Sequence, residues 1–301
     1  MKDKFQQLAH KVHPGAKLVE YKKLEGGVSA QVFALNIELP DGNTQKLVVR
    51  QYGEADLKSD LHIAAHEFEL LRLLKTRSLP VPEPFYVDES CKILPSPYTV
   101  IEFINGQTVD EPSDVVAYVR QMADVLAEIH QIDAPAELSF LPNQQQVFTE
   151  KLALKPAQLD ESLSEGRIRD TLATHWPLTQ QNKSVLLHGD FWPGNTMWRD
   201  GVLVSIIDWE DAGIGDSLAD LGNGRLEILM FFGSEASEEF TSRYKSLRSD
   251  LSYDNLPFWD LYAALRPAGK MADWGLDDVT LNKLQAGHKD FVDQAIAKLT
   301  V

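Results

Sequence analysis

The chain has 301 residues, with 29 Lys and Arg against 45 Asp and Glu, a formal charge of −16. Its 44% hydrophobic and 25% charged residues suit a soluble globular chain of one large domain or two lobes, and no apolar run approaches the roughly 20 residues that span a bilayer. Such acidity is repelled by nucleic acid and by anionic membrane, and the single Cys91 excludes a disulfide framework and a multi-cysteine metal site. Residues 1–6 carry charges with no apolar stretch behind them, so no secretory signal is expected and the expected location is the cytoplasm. The acidity is uneven. Residues 1–104 hold 13 Lys and Arg against 14 Asp and Glu, whereas residues 105–301 hold 16 against 31.

In chain order, residues 18–24, 30–39 and 46–52 alternate like paired strands, with Gly26-Gly27 and Asp41-Gly42 at the turns. Residues 57–78 read as a helix with Ala64, Phe68 and Leu71 on one face, stopped by Pro80, Pro82 and Pro84. Strands over 85–87 and 98–103 complete a five-stranded antiparallel sheet with one inserted helix. From residue 113 the period becomes helical, with Val115, Val119, Met122, Leu126 and Ile129 on one face. A helix is expected over 148–165, then strands over 185–187, 196–198 and 202–207, the last two joined at Asp200-Gly201. Helices over 218–232, 237–251, 258–274 and 281–299 follow. The change from β-rich to α-rich sequence near Asn105-Gly106 predicts an α+β fold of two lobes, 1–104 and 105–301.

The chemistry concentrates in one stretch. An apolar strand delivers His188 and Asp190 into a turn-rich loop, Asn195 follows five residues later, and a second apolar strand presents Asp208. Folded as a hairpin, this sequence brings Asp190, Asn195 and Asp208 together. Two carboxylates and an amide oxygen form a hard ligand set suited to Mg²⁺. Phosphoryl transfer needs such a set, with one further carboxylate to orient the attacking hydroxyl. On this reading Asp190 takes the hydroxyl proton, and Asn195 and Asp208 hold the metal. A metal-dependent hydrolase built on Asp190, Asp208 and His188 is the competing chemistry.

His188-Gly189-Asp190-Phe191-Trp192-Pro193-Gly194-Asn195 and Ile207-Asp208-Trp209-Glu210-Asp211 resemble the two signature segments of the aminoglycoside phosphotransferase / choline kinase-like family. The resemblance implies a bilobal protein kinase-like fold, with a small antiparallel sheet lobe that binds nucleotide (1–104) and a mainly helical lobe that binds substrate (105–301). It also implies ATP as co-substrate, with GTP left open, Mg²⁺ as cofactor and a small-molecule hydroxyl as acceptor. Gly26, Gly27 and Ser29 fall where the family has its phosphate loop, although Gly26-Gly27 alone reads as a hairpin turn. Arg50 falls where a basic residue reaches the phosphates, and Glu67 where its partner carboxylate stands; alone, each reads as a solvated side chain. Glu102, Phe103 and Ile104 resemble the adenine-contacting hinge. His188 buttresses the loop in this pattern, and Asp216 and Asp220 cap the next helix and brace the loop. Outside the pattern, His130 is expected to pack in the core, and Trp192 and Trp209 either shape the substrate entrance or simply pack.

Only eleven residues separate Asp208 from Asp220, too few for the segment on which a protein kinase docks a peptide. The acidic second lobe favours a cationic acceptor such as an aminoglycoside or an amino alcohol, whereas Arg266 and Lys270 would suit an anionic one. A macrolide, a sugar, choline or homoserine also fits, and so does a catalytically silent nucleotide-binding protein on the same fold.

Overall fold

Every second residue of β2 (Ala30–Glu38) from Phe33 to Ile37 is buried, and β3 (Thr44–Tyr52) repeats the alternation with Leu47 and Val49. That period commits one face of the sheet to a core. With β1 (Lys17–Lys23), β4 (Pro84–Asp88) and β5 (Tyr98–Glu102), the strands form an antiparallel sheet ordered β1-β2-β3-β5-β4. This is a computed structural model, and it describes residues 1–24, 30–133 and 136–299. The chain forms two compact units, Met1–Gly106 with Val204–Glu210, and Gln107–Leu203 with Asp211–Val301.

The first unit holds more helix than its sequence suggests. Helix α1 (Lys2–Val12) buries Phe5, Leu8 and Ala9 in the sheet core, with the Phe5 and Phe33 rings 5.1 Å apart. The single helix expected over 57–78 is two, α2 (Glu54–Ser59) and α3 (Ile63–Thr76). Asp60 breaks it: its backbone is extended (φ −148°) and its carboxylate accepts the His62 N–H at 2.9 Å, a local turn that competes with helix. The buried stripe of α3 is Ala64, Glu67, Leu71 and Leu74, and Phe68 is only half-buried. Glu67 therefore lies on an inward face. The segment Val204–Glu210 returns to this unit, where the Ile206 N–H donates to Pro80 O at 2.7 Å.

In the second unit, α4 (Val115–Ile129) is capped by Asp114 on the Ala117 N–H. The stretch read as one helix over 148–165 holds only the end of α5 (Gln144–Ala153), a short 3₁₀ turn at Glu161–Leu163 and the first residue of α6 (Glu165–Ala173). Strand β6 (Val185–Leu187) pairs with β9 (Gly213–Gly215), a strand the sequence did not announce. Strands β7 (Thr196–Arg199) and β8 (Val202–Ile206) form a hairpin whose last three residues belong to the first unit. Helices α7 (Leu218–Phe232), α8 (Ser234–Leu247), α9 (Leu256–Ala264) and α10 (Asp278–Leu299) follow. Helix α9 stops well short of residue 274 because Pro267 disfavours helix at Arg266 and offers no N–H to continue the ladder. Among the described residues no helix is long and apolar enough to cross a membrane.

Candidate functional site

In the first unit, Arg50 extends from β3 with its side chain 11% exposed. Its Nη1 lies 2.7 Å from Asp208 Oδ1 and 3.6 Å from Glu67 Oε1, and its Nη2 donates to Glu210 Oε2. Burial alone would lower its basicity, but Glu67, Asp208 and Glu210 outweigh burial and keep it charged. Tyr52, two residues on and so on the same strand face, donates to Glu67 Oε2 and lies under the guanidinium, 5.5 Å from ring centre to Cζ. Burial and the Glu67 charge push the Tyr52 phenol upward, so it remains a donor. Asp208 adopts a left-handed backbone, φ 67°, sparsely populated outside Gly, Asn and Asp. Its Oδ1 has the Arg50 charge beside it but accepts no hydrogen bond of good geometry among the described residues. One cation among three carboxylates leaves excess negative charge.

At the expected hinge, the Glu102 N–H donates to Glu83 O at 2.8 Å, Phe103 N–H reaches Lys46 O at 3.4 Å, and Ile104 O accepts from Gly106. Gly26, Gly27 and Ser29 lie outside the described residues.

In the second unit, β6 ends at Leu187 and the loop 188–195 is pinned from below. Asp220 Oδ2 accepts the His188 N–H at 2.6 Å and Oδ1 the Gly189 N–H at 2.9 Å, while His130 Nε2 sits 3.2 Å from Oδ2. Burial would raise the Asp220 carboxyl, yet the hydrogen bonds from His130 and from the His188 N–H hold it low. His130 is fully buried, and burial depresses its basicity. It is thus a core residue that also braces the loop. Gly189 has φ +82°, and a Cβ there would meet Asp211 O at 1.9 Å, so only glycine fits. Asp216 accepts from Leu218 N–H at 3.0 Å, in the first turn of α7, and from Asn182 Nδ2; Asp220 lies inside that helix and bonds the loop instead.

Asp190 is held on both oxygens. Asn195 Nδ2 donates to Oδ2 at 3.1 Å and to the Asp190 carbonyl at 2.9 Å, and Arg266 Nη2 donates to Oδ1 at 2.7 Å while Nη1 reaches Gly189 O at 2.6 Å. The Asp190 N–H donates to His188 Nδ1 at 3.3 Å. Asp190 and Asn195 are thus brought together in the second unit, and Asp208 with Arg50, Glu67 and Glu210 in the first. Trp209 packs, buried, with its indole N–H on Ile206 O, and Trp192 lies against Phe231, 6.1 Å between rings.

Sequence reasoning gave no role to Glu210, Tyr52 or Glu227. Two-residue spacing from Asp208 and Arg50 was the available signal for Glu210 and Tyr52. Glu227 lies on the face of α7 that meets the loop, between Asn223, whose Nδ2 donates to Phe191 O at 3.1 Å, and Phe231. Burial, then the Asp190 charge, push the half-buried Glu227 carboxyl up to about 7, against the pull of Arg266.

The potential metal ligands are all oxygens. Asn195 spends its amide N–H groups on Asp190, which leaves Oδ1 for a cation. Among the described residues no three His, Cys, Asp or Glu side chains are grouped to hold a metal by themselves, so the donor set suits a cation that keeps waters and takes phosphate oxygens, as Mg²⁺ does.

Residues 20–262 match the model of the phosphotransferase enzyme family. Mouse acyl-CoA dehydrogenase family member 10 is 26% identical over 194 residues, covering 59% of this chain and 18% of that protein. The chain spans 18% and 32% of the lengths of the first two curated relatives it matches. Among solved structures, a candidate aminoglycoside phosphotransferase from Ralstonia eutropha superposes with a TM-score of 0.70 at 16% identity, covering 99% of this chain and 98% of that one. An amicoumacin kinase in complex with AMP-PNP, Ca²⁺ and its antibiotic superposes with a TM-score of 0.63 at 15% identity, covering 91% and 88%. At such identity these likenesses establish the protein kinase-like fold alone.

Proposed function

The chain belongs to the phosphotransferase enzyme family, and on that premise we propose that it moves the γ-phosphate of ATP, with Mg²⁺, to a hydroxyl of a small molecule. The observation that carries this reading is the fixed carboxylate of Asp190, held by Asn195 on one oxygen and Arg266 on the other at the end of an apolar strand. Asp190 accepts the hydroxyl proton as the hydroxyl oxygen bonds to the γ-phosphorus and the bond to the bridging oxygen breaks, giving a phosphate ester and ADP. Asn195 and Arg266 hold the base in position, which is where the chain's own residues contribute most of the rate.

Asn195 and Asp208 would hold Mg²⁺, which would neutralise phosphate charge. Arg50, positioned by Glu67 and Tyr52, binds phosphate oxygens with its planar fork, and Gly26, Gly27 and Ser29 are assigned to the phosphate loop by the family resemblance alone. Glu102, Phe103 and Ile104 meet the base through backbone groups. His188, Asp216 and Asp220 support the loop. The first 104 residues are then the nucleotide-binding lobe, completed by Asp208 and Glu210. The amicoumacin kinase complexed with AMP-PNP and Ca²⁺ supports the use of a nucleotide with a divalent cation, and aminoglycoside and macrolide phosphotransferases among the structural relatives support a small acceptor.

The test is ADP release over a panel of hydroxyl compounds, run beside thermal shift with Mg²⁺ alone and with ATP-Mg²⁺. Acceptor-dependent ADP release, lost in Asp190→Ala, is the expected result. Near-normal turnover of Asp190→Ala overturns the base assignment. Stabilisation by ATP-Mg²⁺ with no transfer to any acceptor returns the chain to a silent nucleotide binder.

A further inference from the structure

Helix α9 ends on a carbonyl whose backbone donor is missing from the sequence. Past Ala264 the chain continues in tight turns, each N–H reaching three residues back. Leu265 donates to Tyr262 O at 3.1 Å, Arg266 to Ala263 O at 3.0 Å and Ala268 to Leu265 O at 3.2 Å. The acceptor skipped in that series is Ala264 O, which would take the N–H of residue 267, and residue 267 is proline. A carbonyl orphaned at a helix end needs a partner from elsewhere. Here the partner is His288 on α10, whose Nε2 lies 2.7 Å from Ala264 O. A carbonyl only accepts, so Nε2 carries the proton.

Packing alone does not account for a histidine here. His288 is fully buried, and its Nδ1 has no hydrogen-bond partner among the described residues. Burial lowers its basicity, with the Ala264 bond and the Asp160 charge opposing, which keeps the ring neutral. An apolar side chain would avoid the unpaired nitrogen but would lose the donor. Two residues beyond Ala264 stands Arg266, whose Nη1 holds Gly189 O at 2.6 Å and whose Nη2 holds Asp190 Oδ1 at 2.7 Å. The far end of the same turn is tied by the Gly269 N–H, which donates to Asp160 Oδ2 at 3.0 Å. Arg266 therefore stands on a short turn fastened at either end by a side chain from another part of the fold.

We propose that His288 is a positioning residue: by supplying the donor that Pro267 lacks, it fixes the turn that carries Arg266 and, through Arg266, the carboxylate of Asp190. Its effect on turnover rests on the phosphotransferase reading, whereas the mechanical link does not. The guanidinium spans two atoms of the loop, so a rotation of the turn moves both contacts together. A base displaced on the scale of an ångström loses rate before the enzyme loses nucleotide binding.

The test is amide hydrogen exchange on the unliganded protein, beside ADP release with the panel compound that the wild-type chain turns over fastest. His288→Leu removes the donor and keeps the bulk. Exchange over residues 188–191 and 265–270 should quicken about tenfold. In the same variant kcat should fall about tenfold while KM for ATP stays within about twofold. His288→Gln, whose amide nitrogen overlays Nε2, should restore both readouts. So should Pro267→Ala combined with His288→Leu, because it returns a backbone N–H to Ala264 O. Arg266→Lys should cost less in the His288→Leu background than alone, since both act on one contact. If His288→Leu does not fold, His288→Asn, whose amide overlays Nδ1 instead, serves in its place. Exchange that quickens along α9 and α10 but not over 188–191 overturns the proposal. So does a failure of both His288→Gln and Pro267→Ala/His288→Leu to improve on His288→Leu. The expected exchange pattern with no transfer to any compound supports the positioning link and overturns the phosphotransferase reading alone.

Discussion

Each unit gathers carboxylates around one arginine, and the two gatherings differ in how much negative charge they leave. Arg50 is outnumbered by Glu67, Asp208 and Glu210. Arg266 faces Asp190 and Asp211, with Glu227 holding its proton to about 7. The first arrangement surrounds its cation with excess negative charge, whereas the second fixes one carboxylate and leaves another protonated to about neutrality. Net charge, summed over a lobe, hides this difference, because recognition depends on the few groups within reach of the ligand.

The comparison breaks most visibly at Asp190. Asp190→Asn keeps the shape and removes the base, and turnover should fall by about 10²–10⁴-fold while ATP-Mg²⁺ still raises the melting temperature. Next is Arg50→Met, which leaves Glu67 buried without its counter-charge. Urea unfolding should show a loss of about 3–5 kcal/mol, partly recovered by adding Glu67→Gln, and the KM for ATP should rise. Arg266→Lys keeps the charge but loses the fork that spans Gly189 O and Asp190, and kcat should drop about tenfold with the KM for ATP unchanged.

Glu227→Gln gives the smallest effect and the clearest sign. The folded carboxyl titrates near 7 and the unfolded one near 4.5, so the folded state binds more protons between those values. The wild-type chain therefore loses stability as pH rises from about 4.5 to 7 on account of this group. The variant lacks that loss, so its melting temperature should match wild type near pH 4.5 and exceed it at pH 8. Adding Asp190→Asn should narrow the gap, since the Asp190 charge contributes to the shift.

How legible was this in the sequence? The strands were, because alternation at Phe33, Leu35 and Ile37 has one physical cause. Helix α1 was not: its polar residues outnumber Phe5, Leu8 and Ala9, and the core that receives them comes from distant strands. Asp60 hid the break between α2 and α3, since a single Asp is common in helices and only its turn geometry is diagnostic. At the site, Asp190 and Asn195 stand out by spacing along one loop. Glu210 and Glu227 do not, because their meaning comes from Arg50 and Asp190, 160 and 37 residues away.

The return of Val204–Glu210 to the first unit carries a consequence for how the protein is made. When residue 106 leaves the ribosome, the sheet can pair, but Arg50 lacks Asp208 and Glu210, and the Pro80 carbonyl lacks Ile206. At about 5–20 residues per second those partners arrive roughly 5–20 s later. The nascent first unit therefore waits, with Arg50 facing Glu67 alone of its three carboxylates, for a strap synthesised within the other unit, and cutting the gene at the junction would give a first fragment that never receives it.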